Sequence, residues 1–360
     1  MDFRLNVPPQ PPELLDRMAS VFEIFGHQSD FADRLSYGST AGRADDREAA
    51  AQWLSRRLPG TSAEDVVICA GGASLLAALV TTFTKPGDVI VAEEQTYPGI
   101  RAVSRHFGRS LVGVAMDEEG IIPAALSDVC QRLRPKVLYC TPTIQNPTTA
   151  TMSAGRRSEI ARVVEEFNLT ILEDDAYGML PTEVPPPLAK FAPDRTFYMA
   201  SLSKCLTPSL RIAYCVGPAS LRPAMTEGVR VVTFLASQLM AGIATQLIRD
   251  GSAQVILEAI RSESVARQAI AREIFAGEQI AAHPEGPHLW LPLRGKWQIP
   301  ELGAYLRANR VTAKGDGFAV DGEHPNALRV GLGTPRTRDD LAFGLKVIAD
   351  ALLQGRFRFE

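Results

Sequence analysis

Phe197-Tyr198-Met199-Ala200-Ser201-Leu202-Ser203-Lys204, followed by a guanidinium at Arg211, is the stretch on which the reading of this 360-residue chain turns. Its first four residues form an apolar run of strand length. Beyond the run stand two hydroxyls, one lysine and, seven residues later, one arginine. A lysine at a strand end, shielded from water and near other cations, has a lowered pKa and can be a free amine at neutral pH. Ser201, Ser203 and Arg211 are residue types that bind a phosphate, hydroxyls through single bonds and a guanidinium through a planar pair. A lone Ser-x-Ser-Lys is more often a surface lysine in a serine-rich turn, so the rest of the chain has to supply the context.

Outward from this stretch, short apolar runs alternate with helical patterns. Val66–Cys69, Asp88–Ala92, Leu111–Ala115, Val137–Cys140, Thr170–Leu172, Phe197–Ala200 and Arg211–Val216 read as strands. Ala73–Thr84, Gly99–Phe107, Pro123–Leu133 and Ala154–Phe167 read as helices between them. The alternation predicts an α/β fold, a mostly parallel seven-stranded sheet with helices on both faces. Pro8, Pro9, Pro11 and Pro12 make the first dozen residues an extended arm. A helix follows from Glu13 to about Ile24, and another from about Asp45 to Leu58 stops before Pro59-Gly60. Downstream, Val232–Arg249, Ile256–Ala276 and Asp339–Leu353 have helical apolar spacing, and Leu289–Leu293 and Ala327–Gly331 read as strands. The expected division is an arm and part of a small domain in 1–40, a large domain in 41–230 and a small α+β domain in 231–360.

Composition narrows the classes of function. With 46% hydrophobic and 22% charged residues, the chain is an ordinary globular protein, long enough for one large domain and one smaller. A net charge of −3 argues against a nucleic-acid-binding surface. Five cysteines, an odd number with no Cys-x-x-Cys pair, favour reduced thiols in a cytoplasm over a disulfide framework. No apolar run reaches the roughly 18 residues a membrane helix needs, and the N-terminus lacks a basic-then-apolar signal pattern. A soluble cytoplasmic protein without a metal site is expected.

In open sheets of this kind, ligands sit at the carboxyl ends of the strands. After Cys69, Gly71-Gly72-Ala73 opens a helix, whose first amides and positive dipole end make an anion site. After Ala92 comes Thr96-Tyr97-Pro98-Gly99, whose tyrosine can stack on an aromatic cofactor. After Cys140, the prolines of Thr141-Pro142-Thr143-Ile144-Gln145-Asn146-Pro147 force an irregular loop and leave Asn146 able to donate to an oxygen. After Leu172, Glu173-Asp174-Asp175-Ala176-Tyr177 places a carboxylate and a phenol three residues apart. Each feature alone has a plainer explanation as a turn, ordinary packing or a solvated cap. Together, a free amine, phosphate-binding groups, a stacking ring and a carboxylate spell pyridoxal 5'-phosphate. The amine forms a Schiff base with its aldehyde, and a buried carboxylate keeps its pyridine nitrogen protonated so that the ring acts as an electron sink.

The motifs also carry a family resemblance. In order they are Tyr37-Gly38, Gly71-Gly72, Pro86-Gly87-Asp88, Thr96-Tyr97-Pro98-Gly99, Gln145-Asn146-Pro147-Thr148, Glu173-Asp174-Asp175-Ala176-Tyr177, Ser203-Lys204 with Pro208 and Arg211, His288-Leu289-Trp290 and Leu328-Arg329-Val330. This series resembles the fold-type I pyridoxal-phosphate enzymes of the aspartate aminotransferase superfamily, class I/II. Within it, the chain is similar to the aminotransferase-like domains of MocR/GntR-type regulators and to aminoadipate- and aromatic-type aminotransferases.

The resemblance implies that Lys204 carries the Schiff base and shuttles the proton, and that Asp174 pairs with the pyridine nitrogen. Tyr177 and Asn146 would hold the ring oxygen, and Tyr97 would stack on the ring. The amides of Gly72 and Ala73, with Ser201, Ser203 and Arg211, would hold the phosphate. Tyr37 would reach the phosphate of a neighbouring subunit, which implies a homodimer. Arg329 and Asn146 would bind the substrate, the Arg329 guanidinium gripping the α-carboxylate.

Four departures stand out. The family usually has a polar residue where Cys69, Ala70 or Ala73 stand, so some side-chain phosphate contacts are expected to be missing. Asn146-Pro147-Thr148-Thr149 stands for the usual N-P-T-G, Pro208-Ser209-Leu210-Arg211 for P-G-L-R, and Gln95 lies where proline is common. Each spares the groups that do chemistry. The implied activity is transamination between a free α-amino acid and a 2-oxo acid. The alternatives are a ligand-sensing domain of a regulator, whose winged helix does not fit upstream of Asp2, and β-elimination or decarboxylation by the same groups. Specificity is expected from loops near Ile24, Thr40 and 179–187. No second basic residue stands out for a dicarboxylate, so an apolar or aromatic amino acid is the expected substrate. Trp290 and Leu291 are expected in the core and His288 in a structural role.

Overall fold

The computed structural model describes residues 1–293, 297–322 and 325–357. In chain order, α1 (Pro12–Gly26) and α2 (Ala44–Leu54) precede β1 (Val66–Cys69), α3 (Gly72–Phe83), β2 (Val89–Glu93), α4 (Pro98–His106) and β3 (Ser110–Val114). The short ladder of β4 (Met116–Asp117) and β5 (Gly120–Ile121) leads into α5 (Pro123–Leu133), β6 (Val137–Cys140), α6 (Ala154–Glu166), β7 (Thr170–Asp174), β8 (Thr196–Ser201) and β9 (Ala213–Val216). The remainder is α7 (Arg222–Thr233), α8 (Gln238–Arg249), α9 (Ser252–Ile274), β10 (Ala281–Ala282), β11 (His288–Pro292), α10 (Ile299–Ala308), β12 (Ala327–Gly331) and α11 (Arg338–Phe357).

The seven-stranded sheet has the order β1-β9-β8-β7-β6-β2-β3. Neighbours from β8 across to β3 pair parallel, while β9 runs antiparallel to both β8 and β1. All four residues of β1 and of β6 are buried, as a sheet with helices on both faces requires. A separate three-stranded antiparallel sheet, β10-β11-β12, is backed by α9, α10 and α11 around Leu289, Leu302, Val330 and Leu345. The N-terminal arm belongs to this second core through Phe3, whereas α1 buries Leu14, Val21 and Phe25 with Trp53 and Leu257 in a core of the large sheet.

Several expectations change. The helix expected over Val232–Arg249 is two helices: Phe234 takes a left-handed φ of 66° after α7, and Ser237 caps α8 by accepting from the Met240 amide. The strand expected from Arg211 begins at Ala213, because Arg211 closes a short 3₁₀ turn with φ 51°. The β4–β5 ladder and α10 were not anticipated; the first is too short to show a period. Trp290 and Leu291 lie in the core as expected, Trp290 edge-on to Phe318. Among the described residues no helix is long and apolar enough to cross a membrane, and no group of three His, Cys, Asp or Glu side chains is placed to hold a metal.

Candidate active site

The reversal of β9 builds the site. It brings the amino end of that strand, just after Arg211, to the edge where the parallel strands end, and the register sets Cys69 and Ser201 on either side of Ala213. A cavity of about 420 Å³ opens along this edge, and every residue expected at the site except Tyr37 lines it.

At one end of the cavity lies an anion cradle. Gly71 has a φ of 87°, and a Cβ there would stand 2.7 Å from Arg211 Nη2, so the guanidinium lies against backbone that only glycine supplies. The first amides of α3 follow directly. The Ser201 hydroxyl donates to Ser203 Oγ at 3.0 Å and accepts from the Ser203 amide at 3.2 Å. Among the described residues Arg211 forms no ion pair.

Across the cavity the two adjacent aspartates part company. Asp175 is taken up by structural partners: its Oδ2 accepts from Arg57 Nε at 2.9 Å and from the Tyr198 hydroxyl at 2.8 Å. Burial works to raise its pKa, but Arg57 and Arg157 hold it below the usual carboxylate range. Asp174, the last residue of β7, faces the cavity and accepts at Oδ2 from the Tyr139 hydroxyl at 2.8 Å. Burial raises the Asp174 pKa, and burial also pushes the Tyr139 phenol well above its usual range, so Tyr139 stays a proton donor. Asp174 has no cation within ion-pair distance among the described residues.

Lys204 follows β8, and its Nζ donates to the Asn6 carbonyl of the N-terminal arm. Burial, then Arg329 and Arg211, lower its pKa to about 8 against the opposing pull of Asp174. The arm runs close to β12 because Gly331 and Gly333 permit it; a Cβ at either would fall 2.2 Å from the Leu5 oxygen or 2.0 Å from the Val7 oxygen. Asn6 Nδ2 donates to the Tyr177 hydroxyl at 2.9 Å and stands 3.1 Å from His288 Nδ1. Burial pushes His288 down to about 3, so the ring is neutral; it accepts at Nδ1 and donates from Nε2 toward the Gln145 carbonyl at 3.3 Å. Its role is structural, through Asn6 to Tyr177. Arg329, 5% exposed, donates from Nη1 to Asn146 Oδ1 at 2.9 Å and from Nη2 to the Arg4 carbonyl, and its Nε has no partner.

Tyr37 lies elsewhere. It is 86% exposed and packs edge-on against Phe234 with centroids 5.2 Å apart. Conversely, reading the sequence missed Asn6, Tyr139, Arg57 and Lys314. Asn6 acts partly through its backbone, Tyr139 looks like one more apolar strand residue, and Arg57 and Lys314 are lone cations without a motif around them.

The residues fit pyridoxal phosphate on two independent observations: an arginine without an acid beside free helix amides, and a buried carboxylate without a cation across the same cavity. The fold is that of fold-type I pyridoxal-phosphate enzymes. The chain belongs to the aminotransferase class I and II family, whose model matches residues 1–341. The HTH-type transcriptional regulator YdeF of Bacillus subtilis is 30% identical over 326 residues, a match covering 89% of this chain and 70% of that protein. The 2-aminoadipate transaminase of Thermus thermophilus is 28% identical over 336 residues, covering 88% and 81% of the two chains. The chain spans 70%, 66% and 53% of the length of YdeF and of two further B. subtilis regulators, YisV and YdfD. Among solved structures, the α-aminoadipate aminotransferase LysN of T. thermophilus, complexed with N-(5'-phosphopyridoxyl)-L-leucine, superposes with a TM-score of 0.88 at 25% identity, covering 98% of this chain and 92% of that one.

Proposed function

We propose that the chain moves the amino group of a free α-amino acid to a 2-oxo acid, with Lys204 as the covalent and proton-transferring residue. The observation that carries this reading is the position of Lys204, its pKa lowered to about 8, in one cavity with Asp174 and Arg329. When bound, pyridoxal phosphate supplies an aldehyde carbon that amines attack and a protonated ring that accepts electrons from the breaking bond.

The phosphate falls to Arg211, Ser201, Ser203 and the amides of Gly72 and Ala73. Asp174, steadied by Tyr139, would hold the ring-nitrogen proton, and Tyr97 would cover the ring face. Asn146 has its oxygen on Arg329, so its Nδ2 is the group left to donate; the Tyr177 hydroxyl, which accepts from Asn6, keeps its own proton to give. Arg329 gives up the Arg4 carbonyl and offers Nη2 and the unpartnered Nε as parallel donors to the substrate α-carboxylate. Lys204 would attach the cofactor and, as a free amine, would take the Cα proton on Nζ and return it.

The lowered lysine pKa gives a pH dependence. The rate at which cofactor-free protein couples covalently to pyridoxal phosphate is expected to climb with pH to a midpoint near 8, well below the 10.5 of an ordinary lysine, when followed by stopped-flow absorbance. The sign for stability follows from linkage. Between about 8 and 10.5 the unfolded chain binds a proton that the folded chain has shed, so the cofactor-free protein gains stability from this group as pH rises across that window. Lys204→Ala should remove that slope in thermal melts.

Tyr37 and Phe234 form an exposed ring contact, and Leu35 and Val231, close to them in the chain, are exposed as well. We read this surface as the homodimer interface that carries Tyr37 toward a neighbour's phosphate cradle. A cytoplasmic setting fits five cysteines that are all unpaired and buried.

The experiment is visible absorbance of the holoprotein, first with a panel of amino acids and then with a 2-oxo acid. Transamination requires a band that an amino acid bleaches and an oxo acid restores, with the first amino acid recovered as its oxo acid. A second reading, a ligand-sensing domain with little turnover, is favoured by the similarity to the B. subtilis regulators. It requires the band to shift on binding with no oxo acid released. Release of ammonia or carbon dioxide would instead identify elimination or decarboxylation.

A further inference from the structure

The substrate end of the cavity contains a cation that the roles above leave unused. Lys314 lines the same cavity as Arg329 and pairs with it across an antiparallel bridge, the Arg329 amide donating to the Lys314 carbonyl at 2.7 Å. Residues paired in this way carry their side chains to one face, with Cβ atoms roughly 5 Å apart. The two cationic groups lie against one ring: Arg329 stands 5.1 Å and Lys314 5.7 Å from the Phe318 centroid.

Charge matching isolates Lys314. Asp174 is the one carboxylate side chain among the described residues lining the cavity, and the ring nitrogen claims it. Of the cations, Arg211 serves the phosphate, Lys204 the aldehyde carbon and Arg329 the α-carboxylate. Arg4 is already neutralised by Asp2, which takes its Nε at 3.0 Å and its Nη2 at 2.9 Å. Among the described residues Lys314 has only Asp316, at 3.9 Å and 80% exposed, a separation and setting in which an ion pair contributes little. Its flexible four-carbon stem lets the ammonium follow a ligand over a range of positions.

We propose that Lys314 reads a second carboxylate, so that the substrates are dicarboxylic amino acids and their 2-oxo acids. The inference rests on Arg329 gripping the α-carboxylate as above, and it replaces the apolar or aromatic substrate expected from sequence. Nothing in Thr312-Ala313-Lys314-Gly315 marks the lysine; only the bridge to Arg329 brings it to the site.

Calorimetry on the holoprotein with unreactive acids tests it. Glutarate is expected to bind about tenfold tighter than pentanoate, which has the same chain length and one carboxylate fewer, as the gain of one charge-assisted contact implies. Lys314→Met should erase that difference and leave pentanoate unchanged, while Lys314→Arg should keep it. In turnover, Lys314→Met should raise KM for glutamate about tenfold, leaving kcat and the KM for leucine unaltered. Equal affinity of the two acids, or an equal loss of both in Lys314→Met, would overturn the inference, the latter by showing that Lys314 shares the α-carboxylate. The two readings fail separately. Conversion of monocarboxylic amino acids without preference for glutamate defeats this inference and leaves the aminotransferase reading standing; tight glutarate binding with no amino acid converted does the reverse.

Discussion

Lys204→Ala is expected to lower kcat by about 10⁴-fold or more, the scale of losing a group that is both covalent attachment point and proton carrier. Rate measurements with the substrate that works best in the wild type check it. The fold should survive, because the lysine is a burden to the cofactor-free protein. Burial with Arg329 and Arg211 nearby depresses its pKa to about 8, so at neutral pH the folded chain carries an ammonium where water would solvate it better. Melting of the cofactor-free variant should therefore be no lower than that of the wild type. Lys204→Arg should be equally inactive, since a guanidinium does not shed its proton and cannot serve as the free amine. Retention of more than a few per cent of wild-type kcat by Lys204→Ala would remove the lysine from the chemistry.

Arg57→Ala is expected to cost about 3–5 kcal/mol of folding stability, the penalty for leaving one partner of a buried ion pair unpaired. Asp175 is the partner left behind; its carboxylate is buried, and the Tyr198 hydroxyl with the more distant charge of Arg157 does not replace the direct pair. Arg57 Nη1 also donates to the Pro185 carbonyl at 2.9 Å, so the variant should loosen the loop around Pro185 as well. Denaturant unfolding of the cofactor-free protein measures the loss. Replacing both Arg57 and Asp175 by leucine should recover most of it, because the cost lies in the uncompensated charge and not in the missing pair itself. A loss below about 1 kcal/mol for Arg57→Ala, the range of an exposed pair, would show that water reaches Asp175.

The parts of the fold that were legible are those in which one local rule acts without competition. Val66–Cys69 and Val137–Cys140 are buried on both faces, so each is a plain apolar run with observed limits matching the reading. The break between α7 and α8 was not legible: Val231-Val232-Thr233-Phe234-Leu235 contains neither glycine nor proline, so no residue type announces the positive φ at Phe234. The division of labour between Asp174 and Asp175 shows the same limit. From the residues alone two adjacent acids are equivalent. The strand ends between them, and adjacent side chains point to opposite faces, so one reaches the cavity and the other meets Arg57. Contacts made by backbone, such as the Asn6 carbonyl on Lys204, leave no trace in residue types at all. Lys314 is the instructive case, because it has no motif and comes to the site only through a bridge to Arg329, well removed from it in the chain.

The most direct test of the central claim is to reduce the holoprotein with borohydride, digest it and locate the pyridoxyl group by peptide mass spectrometry. The label is expected on the peptide bearing Lys204 and is expected to be absent in Lys204→Ala. A label on Lys314 or any other lysine, or cofactor that washes away unreduced from the intact protein, would contradict this assignment.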